Sequence, residues 1–239
     1  MEMSDNTLLW QPTDEQKQSS AMWDFARKTQ AFHGGAADDF DALHAWSVNS
    51  PAKFYNTLWD YLEIVGDKGE QAYMAGETIH DAQFYPGARL NYAENLLQNA
   101  DDRLAVIAHR DDGTRRTITR EALYQQVSRT VQALKAEGVS EGDRVAAIVS
   151  HDIEAIIGYL ATSAIGAIWS SCSPDFGPAG ASDRLCQIEP TILLALPNYH
   201  YAGKYVAVSP TIEAVATASQ LTQVVLIRYA IPDRLAAYP

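Results

Sequence analysis

Between residues 144 and 228 the chain alternates short, continuous apolar runs with longer stretches of helical periodicity. The runs RVAAIV (144–149), AIWSS (167–171), TILLAL (191–196) and VVLIR (224–228) are the length of buried strands. Between them the spacing predicts a helix from Ile153 to Ile165 and a short one over 181–189 that Pro190 closes. A third is started by Ser209-Pro210. Strand, helix, strand, helix at this interval predicts right-handed crossovers and a mostly parallel sheet with helices on both faces. The Ile153–Ile165 helix is apolar nearly all round, as suits one held between a sheet and another layer.

Upstream, LAVIAHRDDGTRRTIT reads as two strands joined at Asp112-Gly113, a strong hairpin signal. Thr119 is placed to cap the next helix, with Glu121 in its first turn. Leu123, Val127, Val131 and Leu134 form the buried stripe of that helix, and Gly138 suits its end. Residues 1–100 have a different texture. Four of the five tryptophans lie there, and short amphipathic helices fit best. Met22, Trp23, Phe25, Ala26 and Phe32 gather on one side of 16–32. Ser50-Pro51 then opens a helix whose stripe is Phe54, Leu58, Tyr61, Leu62 and Val65. The expectation is an α/β chain: a helical, aromatic-rich cap over 1–100, then a hairpin and an incomplete sheet over 101–239. The aromatic stripes are expected to pack onto a larger body rather than stack on a ligand.

Composition narrows the partners. A net charge of −12 argues against nucleic acid and against anionic membrane surfaces. The run from Ala155 to Trp169 is too short and too interrupted to span a bilayer, and MEMSDNTLLWQPTDEQ is too polar for a secretory leader. Two cysteines, Cys172 and Cys186, in no paired motif, suggest free thiols in a reducing cytoplasm.

Ligands of open parallel sheets bind beyond the carboxyl ends of the strands. Ser150-His151-Asp152, Ser170–Gly177 and Asn198–Lys204 occupy that position. SSCSPDFG is then either an ordinary polar turn or the rim of a site. Pro174 would stiffen it, and Gly177 and Gly180 would permit close backbone approach. Lys204 either meets a phosphate or is simply solvated. Cys172 as a nucleophile would need His151 or His200 as its base. No glycine-rich dinucleotide motif, no phosphate-binding loop and no metal-ligand spacing occurs.

FYPGARLNYAENLL (84–97), TREALYQQV, GVSEGDRVAAIV, SAIGAIWSSCSPDFG, DRLCQIEP and YAGK follow one another in a specific order. Together they resemble the acetoacetate-activating branch of the adenylate-forming acyl-CoA synthetases, close to acetyl-CoA synthetases, over essentially the whole chain. The resemblance implies ATP, Mg2+ and CoA as cofactors and acetoacetate as substrate. ATP converts the carboxylate, a poor acyl donor, into an acyl-adenylate, and the CoA thiol then displaces AMP. It implies that Ser173, Pro174, Asp175 and Phe176 line the CoA adenine pocket, and that Tyr201 and Lys204 stand where two basic residues meet its phosphates. Tyr201 carries no charge, a departure from the pattern. So are Leu-Pro-Asn at 196–198, where an Asp-Gly turn is usual, and the alanine- and glycine-rich GPAGASDRL. The phosphate loop, magnesium-binding segment, ribose-binding Asp and catalytic lysine of that family have no counterpart here. The chain is therefore expected to be the front third of a ligase, without catalytic or metal residues, inactive without the C-terminal part of the same enzyme. A non-catalytic CoA-binding or interaction module is the alternative. A sheet whose last strand is VVLIR is expected to leave an edge open.

Overall fold

A computed structural model of the chain describes residues 8–227 apart from 79 and 222. It forms two compact units that divide between Leu90 and Asn91.

The first unit holds α1 (Asp14–Gln18), α2 (Ala21–Lys28), α3 (Gln30–His33), α4 (Phe40–Asn49) and α5 (Pro51–Tyr61). A two-residue ladder pairs β1 (Tyr73–Met74) with β2 (Gln83–Phe84), antiparallel. Ser20 starts α2 by accepting a hydrogen bond from the Trp23 amide at 3.1 Å. Thr29 ends it, its hydroxyl donating to the Phe25 carbonyl at 2.8 Å. The break redirects the chain, so two residues of the expected stripe leave it: Met22 is 56% exposed and Phe32 43%. Phe25, Ala26, Leu43 and Trp46 form the core, joined by Phe54, Leu58 and Tyr61. Phe25 meets Tyr61 edge-on at 4.9 Å, and Trp46 meets Phe54 at 5.1 Å. These aromatics form a cluster of their own, with α4, which the sequence reading did not anticipate. Pro51 opens α5 as expected, but the Ser50 side chain makes no capping bond. The helix stops at Tyr61 and the chain turns through a left-handed Glu63, which leaves Leu62 and Val65 exposed instead of in the stripe. Asp24, hydrogen-bonded to Lys28, Arg27 and the Tyr61 hydroxyl, has its carboxyl lowered to about 2.

The second unit opens with α6 (Tyr92–Leu96) and the hairpin β3 (Leu104–His109)–β4 (Arg115–Thr119), turning at Gly113 with φ of 81°. Thr119 caps α7 (Arg120–Ala136) by accepting from the Ala122 amide at 3.2 Å, and Leu123, Val127 and Leu134 of its stripe are buried. Then follow β5 (Arg144–Ile148), α8 (Ile153–Ile165), β6 (Ile168–Cys172) and α9 (Pro178–Leu185). The chain continues through β7 (Ile192–Ala195), β8 (Asn198–Tyr201), β9 (Lys204–Ala207), α10 (Ser209–Ala218) and β10 (Val224–Leu226).

Four strands form the expected parallel sheet, in the order β10-β7-β5-β6. Side chains alternate between its faces with the period of two that a pleat imposes. Val145, Ala147, Ile192 and Leu194 join the core beneath α7 and α8. Ala146, Ile148, Leu193 and Ala195 join the core beneath α9 and α10. Ile148, Ile192, Leu193 and Leu196 are fully buried, each contributing about 1.5–3 kcal/mol relative to exposure. Where α8 crosses the sheet, a Cβ on Gly158 would sit 2.9 Å from the Trp169 ring. Only glycine lets the indole lie there.

In this unit two further readings change. α9 begins at Pro178, three residues before the expected 181, because the proline's fixed φ suits a first helical position. The segment 198–207, read as a connection, is a hairpin in which Ala202 and Gly203 both take positive φ, the mark of a tight two-residue turn. The last apolar run is a strand at Val224–Leu226, and Arg228 lies outside the described residues. Among the described residues no helix is long and apolar enough to cross a membrane.

Candidate functional site

The crossovers decide where a site can form. The helix after β5 covers one face of the sheet, and those after β6 and β7 cover the other. β5 and β7 are neighbours whose connections leave in opposite directions, so a topological switch point lies between their carboxyl ends. Ser150-His151-Asp152 and Pro197-Asn198 emerge there, and the turn after β6 leaves from the same end.

That turn is built from the inside out. Cys172 ends β6 beneath α9, and burial pushes its thiol above the ordinary range. The Asp175 carboxylate acts in the same direction and Arg184 against it. Ser173 is half-buried and accepts the Phe176 amide at 3.2 Å through its carbonyl. Pro174 is buried and Asp175 exposed. Phe176 is half-buried, one side of its ring against the core below α9. The Arg184 guanidinium lies over the ring at 4.1 Å from its centroid. Within the protein itself neither glycine is crowded. A Cβ on Gly177 would meet nothing within 4 Å, and one on Gly180 would make ordinary contact with Phe176 at 3.4 Å. Gly177 instead gives the chain its entry into α9.

The second predicted segment is the β8–β9 hairpin. Its register pairs Tyr199 with Val206 and Tyr201 with Lys204, so these four share one face. His200 and Tyr205 share the other, their rings 5.2 Å apart. Tyr199 packs on the same core as Phe176, which puts the Tyr201–Lys204 pair on the α9–α10 side of the sheet. Tyr201 is 61% exposed and Lys204 also faces water. His200, one of the two bases considered for Cys172, turns the other way. Across from it in the β3–β4 turn, Asp112 has its carboxyl held below the ordinary range, chiefly by hydrogen bonds from Thr114.

Sequence reasoning missed the charge network beside the switch point. Asp152 caps α8 by accepting from the Ile153 amide at 2.7 Å, and its side chain is only 2% exposed. Arg110 and Arg116, carried in by the β3–β4 hairpin, both bond to it, and Arg116 also grips Glu154 at 2.6 Å. Those carboxylates, Glu154 first, hold the Arg116 guanidinium above its ordinary range. Partners some forty positions apart carry no local signal; only the N-cap pattern at Asp152 was there to be read.

Two grooves lie elsewhere. One of about 410 Å³ is at the amino ends of β7 and β10, and one of about 440 Å³ is lined by α6 and α7 residues and Ala164. Among the described residues no group of three His, Cys, Asp or Glu side chains is placed to hold a metal ion.

Residues 93–236 match the family model described as AMP-binding enzyme. The chain is 41% identical over 208 residues to an acetoacetyl-coenzyme A synthetase of Rhizobium meliloti, covering 87% of this chain and 32% of that protein. It is 34% identical over 236 residues to the acetoacetyl-CoA synthetase of Rattus norvegicus, covering 97% and 35%. A malonamoyl-CoA synthetase of Penicillium aethiopicum is 33% identical over 235 residues, covering 92% and 32%. Among solved structures, an acetoacetyl-CoA synthetase from Streptomyces lividans superposes with a TM-score of 0.84 at 30% identity, covering 95% of this chain and 36% of that one. The chain thus spans about a third of the length of these relatives.

Proposed function

The chain belongs to the AMP-binding enzyme family, and from that premise we propose that it is the N-terminal portion of an acid–CoA ligase acting on acetoacetate. The reaction joins acetoacetate and CoA with ATP, by way of an acyl-adenylate, and releases AMP and pyrophosphate. The observation that carries this reading is the 41% identity to an acetoacetyl-coenzyme A synthetase across 87% of the chain. It is supported by a backbone that follows another such protein over 95% of its residues.

In this reading the chain contributes part of the CoA-binding rim. Ser173, Pro174, Asp175 and Phe176 form the wall beside the adenine, and Tyr201 and Lys204 stand near the phosphates. The residues fit such a ligand. The turn is anchored by a buried Pro174 and a half-buried ring, while the exposed Lys204 offers a flexible cation and Tyr201 a hydroxyl beside it. CoA supplies the thiol that displaces AMP. ATP and Mg2+ belong to the complete reaction, and no step through them is assigned to this chain's residues. The remaining two thirds of the enzyme is the principal partner. A cytoplasmic location suits the two free thiols.

The chain with acetoacetate, ATP, Mg2+ and CoA is expected to form no acetoacetyl-CoA, yet to bind CoA in calorimetry. An enzyme that carries this chain as its N-terminal portion is expected to exchange pyrophosphate into ATP when given acetoacetate. Equal exchange with acetate or with malonamate would overturn the substrate assignment.

A further inference from the structure

Arg184 is the seventh residue of the eight-residue α9, yet its charge lies back at the turn where that helix begins. A helical side chain slants toward the helix N-terminus. Here the slant carries the guanidinium one full turn back, where Nη1 donates to the Gly180 carbonyl at 2.9 Å. The same group lies over the outer side of the Phe176 ring, 4.1 Å from its centroid. Phe176 is thereby sandwiched between the core below α9 and a cation. What the turn shows to an approaching ligand at this point is the guanidinium, with less of the ring than its sequence suggested.

That cation is held but not neutralised. Arg184 is exposed, and among the described residues it makes no ion pair, the exposed Asp175 on the same turn included. Its remaining N–H donors, on Nε and Nη2, bond to no described residue. A guanidinium seated over a ring and tied at one corner has already lost much of its rotamer freedom, so it forfeits little more when an anion arrives. Its open donors present the planar fork that matches phosphate oxygens. We infer that Arg184 is a ligand-contacting residue of this rim and receives a phosphate of CoA, adding a cation where Tyr201 has none. The inference rests on the CoA reading above and names a residue that the resemblance did not supply.

The test is calorimetric titration of the whole 239-residue chain with CoA at low salt and at about 1 M salt, where screening shortens electrostatic reach to about 3 Å. Arg184→Gln is expected to weaken CoA binding about tenfold at low salt, the worth of one charge-assisted hydrogen bond. The deficit should shrink at high salt. Arg184→Lys should recover only part of the loss, because an ammonium neither stacks flat nor forks. An unchanged affinity in a folded Arg184→Gln overturns the assignment and leaves the CoA reading standing. A loss of the same size at both salt concentrations reveals a packing role through Phe176 and also overturns it. If the folded parent chain gives no heat with CoA, both fall.

Discussion

Cys172 shows how one helix start changes the chemistry of a side chain. Because α9 begins at Pro178, the thiol is covered and its thiolate disfavoured, and His200 faces the opposite side of its hairpin. A nucleophile needs the reverse on both counts. Cys186 is half-buried, its sulfur accepting from the Ser219 hydroxyl at 3.1 Å. Iodoacetamide at mildly alkaline pH is expected to modify Cys186 first, with Cys172 slower by about tenfold or more, because burial both covers the Cys172 thiol and disfavours its thiolate. Equal rates, read by peptide mass spectrometry, would contradict the burial. The residue was visible in the sequence; its cover was not, since that depends on where the next helix lies down. Phe176 taught a related lesson. Its presence on the turn was legible, but its masking by Arg184 depends on a contact eight residues away along a helix whose start the pattern misplaced.

Among elements, the β3–β4 hairpin carries the largest unforeseen role. Its two arginines converge on Asp152 at the carboxyl end of β5, which ties the hairpin to the start of α8. Asp152→Asn keeps the shape and a helix-capping oxygen but removes the charge that both guanidiniums face. The cost is expected at about 2–3 kcal/mol, somewhat under that of breaking a fully buried pair because the arginines keep some access to water. Hydrogen exchange should show it as faster amide exchange in α8 and β3–β4, with the first unit unaffected. Protection equal to the parent's would mean the network contributes nothing. The hairpin itself, the α7 cap and the strand–helix alternation were all legible, because each is written in neighbouring residues. The β8–β9 hairpin was not, since PNYHYAGKY lacks the apolar alternation that marks a half-buried pair, and the exposed strand β9 gives the reason.

At the scale of the molecule, β10 and β6 are the outer strands of the sheet, and among the described residues neither pairs with a further strand. β10 pairs with β7 on one side, and among the described residues nothing pairs with its other side; Leu226 there is 51% exposed. At the opposite flank, Ile168 of β6 is exposed as well. Such edges accept strands from other chains. Sedimentation velocity is expected to show self-association that rises with concentration, and Val225→Lys, which sets a charge on the β10 edge, should reduce it. A single monomeric species at all concentrations would contradict this.

Ala146 and Ala147 stand back to back in the middle of β5, wholly buried and aimed into opposite cores. Two methyl groups therefore set how closely the helices on either face approach the sheet at this point. A bulkier residue at either position would have to be matched by a smaller one in the helix facing it, so these adjacent letters of the sequence answer to different neighbours and are free to vary on separate terms.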